Sequence, residues 1–183
     1  MRSGIAPDEL TEAFQMEKKR TRAYEDDNDL DPQVLKDEVR DLMSKNGFSR
    51  IGSGDFRVAY ANEDVVAKLA WNRLGIKENK SELRNWERYK DREIQRIRDN
   101  GTCKARNYLA ELYECDQNQF GWILMERVQD GSDNVTGEEA QEVRTSLSNA
   151  GIEIDEIKPY NMGKAYRDNI SERVPVVFDY GGT

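Results

Sequence analysis

An α+β fold built around an antiparallel sheet is what this sequence predicts, on three observations. Two strand-like runs, "FSRI" and "RVAYA", flank a Gly52-Ser53-Gly54 turn, and a third, "VVAKLA", follows at once through "NED". A second pair, "YLAELYECD" and "FGWILMERV", reads as a hairpin around Gln117-Asn118. Segments with apolar residues at helical spacing stand before, between and after these strands. The resulting order is helix, three strands, a long helix, two strands, a helix, then loop and strand.

Each element has a local cause. Leu10 and Phe14 support a helix from Pro7 to about Arg22. Its apolar stripe is weak and its flanks are charge-blocked ("EKKRTR", then "YEDDNDLD"), so residues 1–30 read as a charged N-terminal extension. The next helix is better marked. Asp31 suits the N-cap, Pro32 the first helical position, and Leu35, Val39, Leu42 and Met43 share one face, with Gly47 at its close. The β-branched run holding Lys68 predicts a strand, and Leu83, Trp86, Ile94 and Ile97 predict a helix from Ile76 to about Arg98. Thr136 and Glu139 make a capping box for a helix through Ala150, closed by Gly151. Two short strand-and-loop units follow, "IEIDEIKPYNMG" and "RVPVVFDYGGT".

Composition narrows the function classes. The 183 residues suffice for one domain with a real core. Asp and Glu number 36 against 28 Lys and Arg, a net charge of -8. That balance speaks against nucleic acid, which requires a basic face to release counterions, and against an anionic membrane surface. Arginine exceeds lysine 17 to 11, and an acidic, lysine-poor surface suits high salt, where the Debye length is about 3 Å at 1 M; a halophilic source is expected. There is no histidine, which removes Ser-His-Asp and Cys-His catalysis and leaves acid–base work to carboxylates, Lys or Tyr. Cys103 and Cys115 show no metal-type spacing and are read as reduced thiols. With no apolar signal core and no run of about 18 apolar residues, a cytoplasmic protein is expected, or a virion-associated one if virus-encoded.

Several polar residues sit where a sheet does not ask for them. Gly52, Ser53 and Gly54 serve as a hairpin turn, or as bare backbone that approaches phosphates without a Cβ clash. Lys68 lies mid-strand, Glu82 inside a charged helix, and Asn161 in a turn after "KPY". The apolar run Val174–Phe178 delivers a single acid, Asp179, followed by glycine. Taken in order, "IGSGDF", "VVAK", a helical glutamate, "LMERV", "DEIKPYN" and "FDYG" resemble the protein-kinase-like superfamily from about Phe48 to Gly181, and the short spacings look more like small phage- and plasmid-type members.

That resemblance implies a kinase-like N-lobe over residues 31–128, with a five-stranded antiparallel sheet and a long helix, and a minimal, truncated helical C-lobe over 129–183. It implies ATP and Mg²⁺ as cofactors. The glycine turn would lie over the phosphates, Lys68 would contact them, and Glu82 would hold Lys68, with Glu78 the fallback. Backbone around Glu126 and Val128 would meet the adenine edge, and Asn161 and Asp179 would take the metal through oxygen. The catalytic carboxylate is Glu156 by counting back from Asn161, or Asp155 by residue type, with Asp155 preferred. Arg57 holds the third glycine position, where its guanidinium could meet phosphate instead. The implied activity is phosphate transfer to an unidentified acceptor, or a weak or inactive pseudokinase serving as an adaptor of a virus or mobile element. The short segment after the hinge calls for a protein partner or self-association to cover the C-lobe.

Overall fold

The computed structural model describes residues 4–25, 31–128, 135–154, 157–167 and 170–180. Its elements in chain order are α1 (Pro7–Glu25), α2 (Pro32–Lys45), β1 (Ser49–Ser53), β2 (Arg57–Ala61), β3 (Val65–Ala70), α3 (Arg73–Tyr89), β4 (Glu93–Gln95), β5 (Thr102–Lys104), β6 (Leu112–Cys115), β7 (Trp122–Glu126), α4 (Gly137–Asn149), β8 (Met162–Arg167) and β9 (Ile170–Val177). They form two units, Met1–Lys80 with Leu112–Arg127, and Ser81–Glu111 with Val128–Thr183; α3 begins in the first and ends in the second. The fold class is α+β, as the residue pattern predicts. Among the described residues no helix is long and apolar enough to cross a membrane.

The first unit is a five-stranded antiparallel sheet, ordered β1-β2-β3-β7-β6, with α1 and α2 against it. Strand alternation sends Val58, Tyr60, Val65, Ala67, Leu69, Trp122 and Leu124 to one face, where they join Leu10, Phe14, Val39 and Met43 in the core. The start of α2 is set as the sequence predicts: Asp31 Oδ1 accepts from the Gln33 amide at 2.8 Å, and Pro32 opens the helix. The turn between β6 and β7 is built on Asp116, whose carboxylate accepts from the amides of Asn118, Gln119 and Gly121 at 2.9, 3.1 and 3.1 Å.

The N-terminal helix departs from expectation. Rather than a loose arm, α1 buries Leu10, Ala13 and Phe14 completely, and Thr11 Oγ1 accepts from the Trp122 indole at 3.0 Å. Its stripe is narrow, so its average patterning understates how closely that stripe packs. Glu17, 2% exposed, pairs with Arg20 Nε at 2.7 Å, and the Arg20 guanidinium in turn stacks over Trp71 at 5.2 Å.

In the second unit the helix expected to reach Arg98 stops at Tyr89. Arg98–Gly101 is a tight turn instead. Asn100 takes a positive φ of 54°, Asp99 Oδ1 accepts from the Gly101 amide at 3.0 Å, and β4 pairs with β5 through Ile94↔Cys103. Asn-Gly is a strong hairpin signal and it overrides the helical spacing. The capping box of α4 is present in both directions, and Gly151 closes the helix with a φ of 67°. Residues 108–110, expected as the start of a hairpin strand, run instead beside the end of β9. Val177 donates to the Tyr108 carbonyl and accepts from the Ala110 amide, each at 2.8 Å. The ribbon β8–β9 is antiparallel, with Met162 opposite Val177.

Two buried phenols give the fold a pH signature. Burial pushes Tyr60 up to about 12, reinforced by the Glu17 charge, and burial likewise pushes Tyr108 up to about 12. Both hydroxyls titrate near 10 when unfolded, so the unfolded chain loses those protons first. The stabilisation is complete below about pH 10 and declines as pH rises through about 12. Urea midpoints followed by circular dichroism are expected to fall between about pH 10 and about pH 12. Tyr108→Phe should flatten that fall, and an unchanged slope would show that Tyr108 does not supply it.

Candidate functional site

Within the first unit, Lys68 and the glycine hairpin are parts of one row. Gly52 lies opposite Ala59, Ala59 opposite Lys68, and Lys68 opposite Ile123. Residues in register across antiparallel strands share a face, so Lys68 stands on the face turned away from α1 and α2. Its row reaches Gly52 two strands away, roughly 10 Å at the usual strand spacing. Lys68 is 8% exposed. Mid-strand placement among Ala and β-branched neighbours makes that lysine a costly choice for a residue whose only role is solubility.

Gly52 and Ser53 belong to β1, and Gly54 opens the turn into β2. A one-residue bulge at Ile51 shifts the register just before Gly52. A Cβ built on Gly52 or Gly54 would meet nothing within 4 Å, and neither has a positive φ. Packing and backbone conformation thus give no reason for either glycine. Glycine in a strand weakens it, and a common compensation is the close approach of a ligand.

At the end of β7 the Arg127 amide donates to the Asp64 carbonyl at 2.9 Å, and the Arg127 guanidinium reaches the Asn62 carbonyl. Extended backbone alternates its hydrogen-bonding direction, so the N–H and C=O of Glu126 point away from β3, and Val128 has the same parity. This is the pair of residues the sequence assigns to the base edge. Arg57 does not point to open space: its Nε lies 2.9 Å from Glu78 Oε2 and its Nη1 3.2 Å from Asn79 Oδ1, both on α3. The fallback Glu78 is therefore engaged by Arg57.

In the second unit the register of β8–β9 brings Asn161 and Asp179 to the same end of one ribbon. Asn161 closes the 3-10 turn Pro159–Asn161, its amide donating to the Lys158 carbonyl at 2.9 Å, and its own carbonyl accepts from the Phe178 amide at 3.0 Å. Asp179 follows Phe178 directly, and both Asn161 and Asp179 are half-buried. The next residue is fixed at both ends: the Tyr180 hydroxyl donates to the Ala110 carbonyl at 2.9 Å, and its carbonyl accepts from Asn85 Nδ2 at 2.7 Å. Asp179 thus sits between two anchored neighbours. The sequence marks neither Tyr180 nor Asn85 as a site residue; the aromatic position inside "FDYG" is a signal for Tyr180, and no local signal points to Asn85.

The ribbon is itself tied down. Lys164 Nζ on β8 meets Glu139 Oε1 on α4 at 2.8 Å. Burial raises the Glu139 carboxyl, but the Lys164 ammonium and the Thr136 cap outweigh it and hold the group below its usual range. Glu82, on α3 in this unit, is fully buried, which a carboxylate tolerates only with a partner. Asp155 and Glu156 lie outside the described residues, as does Gly181.

Chemically, Asn161 and Asp179 are oxygen donors suited to a hard cation, which typically takes one or two carboxylates together with phosphates and water. Among the described residues no group of three or more Cys, Asp or Glu could hold a metal by itself.

No protein-family model matches the sequence, and no curated protein matches it. Among solved structures, the streptomycin–ATP–APH(2")-IIa ternary complex is similar over 70% of this chain and 42% of that one, at 17% identity and a TM-score of 0.39. The present chain thus spans about two-fifths of the length of that protein.

Proposed function

We propose that this chain is a kinase-like protein that binds Mg-ATP and transfers the γ-phosphoryl group to an unidentified acceptor. One observation carries the reading: Asn161 and Asp179, far apart in sequence, are brought to one end of the β8–β9 ribbon, and the residues on both sides of Asp179 are anchored. Phosphoryl transfer depends mainly on such positioning and on charge neutralisation. In this reading Lys68 meets the α- and β-phosphates, Glu82 neutralises and extends Lys68, and the Gly52–Gly54 backbone covers the phosphates. Glu126 and Val128 receive the adenine edge. Asn161 and Asp179 hold Mg²⁺, which screens phosphate charge. Asp155, with Glu156 as the alternative, accepts the proton of the acceptor.

The two glycines separate site from fold. Gly52→Ala and Gly54→Ala should leave thermal stability unchanged or raise it slightly, by about 0.5–1 kcal/mol, since the backbone is open and β-compatible. ATP affinity measured by calorimetric titration should drop by about tenfold or more as Cβ atoms crowd the phosphates. Affinity unchanged in both variants would contradict a phosphate-covering role.

A further inference from the structure

The outgoing limb of the glycine hairpin is fastened to the start of α3 by contacts that an ordinary hairpin does not need. The Trp71 indole donates to the Asp55 carbonyl at 2.9 Å, and the Trp71 amide donates to the Phe56 carbonyl at 3.1 Å. Gly75, in the first turn of α3, lies so close that a Cβ there would stand 2.2 Å from the Phe56 carbonyl oxygen. Arg57 then crosses to α3. It is 9% exposed, and its fork meets Glu78 at 2.9 Å and Asn79 at 3.2 Å. Asn79 is fully buried and donates onward to the Phe120 carbonyl, in the β6–β7 turn, at 2.9 Å. The Arg57 carbonyl meanwhile accepts from the Gly54 amide at 3.0 Å and closes the hairpin.

A guanidinium suits this position, because its planar fork serves two acceptors at fixed angles where an ammonium acts as a point charge. Burial strengthens the link, since water no longer competes for the same bonds. A hairpin held this way has lost its freedom before any ligand arrives. A free glycine-rich hairpin would have to be ordered during binding, and the bound-state affinity would be reduced by the fraction of time it spends ordered.

We propose that Arg57 is a positioning residue: through Glu78 and Asn79 it clamps the glycine hairpin to α3, so that the phosphate-covering backbone is preorganised in the nucleotide-free protein. The role in nucleotide binding rests on the function proposed above, whereas the clamp itself can be observed without nucleotide. Arg57 would thus be the counterpart of a third loop glycine in place only, giving up flexibility for a fixed hairpin.

The experiment is hydrogen exchange of the Gly54 amide and the Trp71 indole in the full chain without nucleotide, followed by ATP titration, on the wild type, Arg57→Gln, Glu78→Gln and the double variant. Glu78→Gln preserves shape and guards against simple misfolding, and urea midpoints identify any variant whose whole unit is lost. The clamp predicts exchange at both groups faster by about tenfold or more in each single variant, and little further increase in the double, because both changes break one link. Weaker ATP binding by a similar factor is expected alongside. Unchanged exchange in both single variants overturns the clamp whatever the nucleotide does. Faster exchange in a protein that binds no ATP establishes the clamp while rejecting the function proposed for the site.

Discussion

Asp179→Asn is expected to abolish measurable phosphate transfer while leaving the protein folded. Asp179 is half-buried, it is flanked by the Phe178–Asn161 and Tyr180–Asn85 hydrogen bonds, and those bonds use backbone and neighbouring side chains rather than its carboxylate. Asparagine keeps the shape and one oxygen but removes the charge that would balance Mg²⁺. Losing one preorganised electrostatic group from a reacting site costs about 10²–10³-fold in rate, equivalent to roughly 3–4 kcal/mol of transition-state stabilisation. The check is release or transfer of labelled γ-phosphate, with the protein itself included among the acceptors, alongside a thermal melt. A melt within about 2 °C of wild type combined with lost transfer is the expected pair. Transfer at the wild-type rate would remove Asp179 from the site.

The second large effect falls on stability. Phe14→Ala should destabilise the first unit by about 3–5 kcal/mol, the range for removing a fully buried aromatic side chain. Phe14 has no exposed surface and belongs to the core that also holds Val58, Leu69, Trp122 and Leu124. Its ring also fills the space beside Gly121, so its loss opens a cavity where α1 meets the β6–β7 turn. The neighbouring Trp122 indole is bonded to Thr11, which makes tryptophan emission during urea unfolding a direct reporter. A loss below about 1 kcal/mol would mean that α1 is the loose extension its composition suggests.

How far the sequence can be read depends on the range of the forces involved. Local chemistry reads well. The Asp31 cap, the Thr136–Glu139 box and the three strands around Lys68 are where short-range rules place them. Medium-range competition misleads. Leu83, Trp86 and Ile94 share helical spacing, but the Asn100-Gly101 turn allows Ile94 to enter a hairpin with Cys103 instead. Weak stripes are underestimated: Leu10, Ala13, Phe14 and Glu17 look too few to anchor a helix until the sheet face they cover is known. Long-range polar partners cannot be read at all. Nothing local in "GDFRVAY" reveals that Arg57 meets Glu78 and Asn79 on the next helix, nor does "FDYG" reveal that Asn85 and Ala110 hold Tyr180. The order of residue types is what proposes the candidate site, whereas the polar contacts around its residues come only from the structure.

The most direct test of Mg-ATP binding is a thermal-shift titration of the whole chain with ATP, in the presence of Mg²⁺ and again with Mg²⁺ chelated. Saturation to 100 times the dissociation constant should stabilise by about 2.7 kcal/mol, with the metal-free titration clearly weaker and Asp179→Asn insensitive to the metal. No shift with ATP at millimolar concentration, with or without Mg²⁺, would contradict the proposed function.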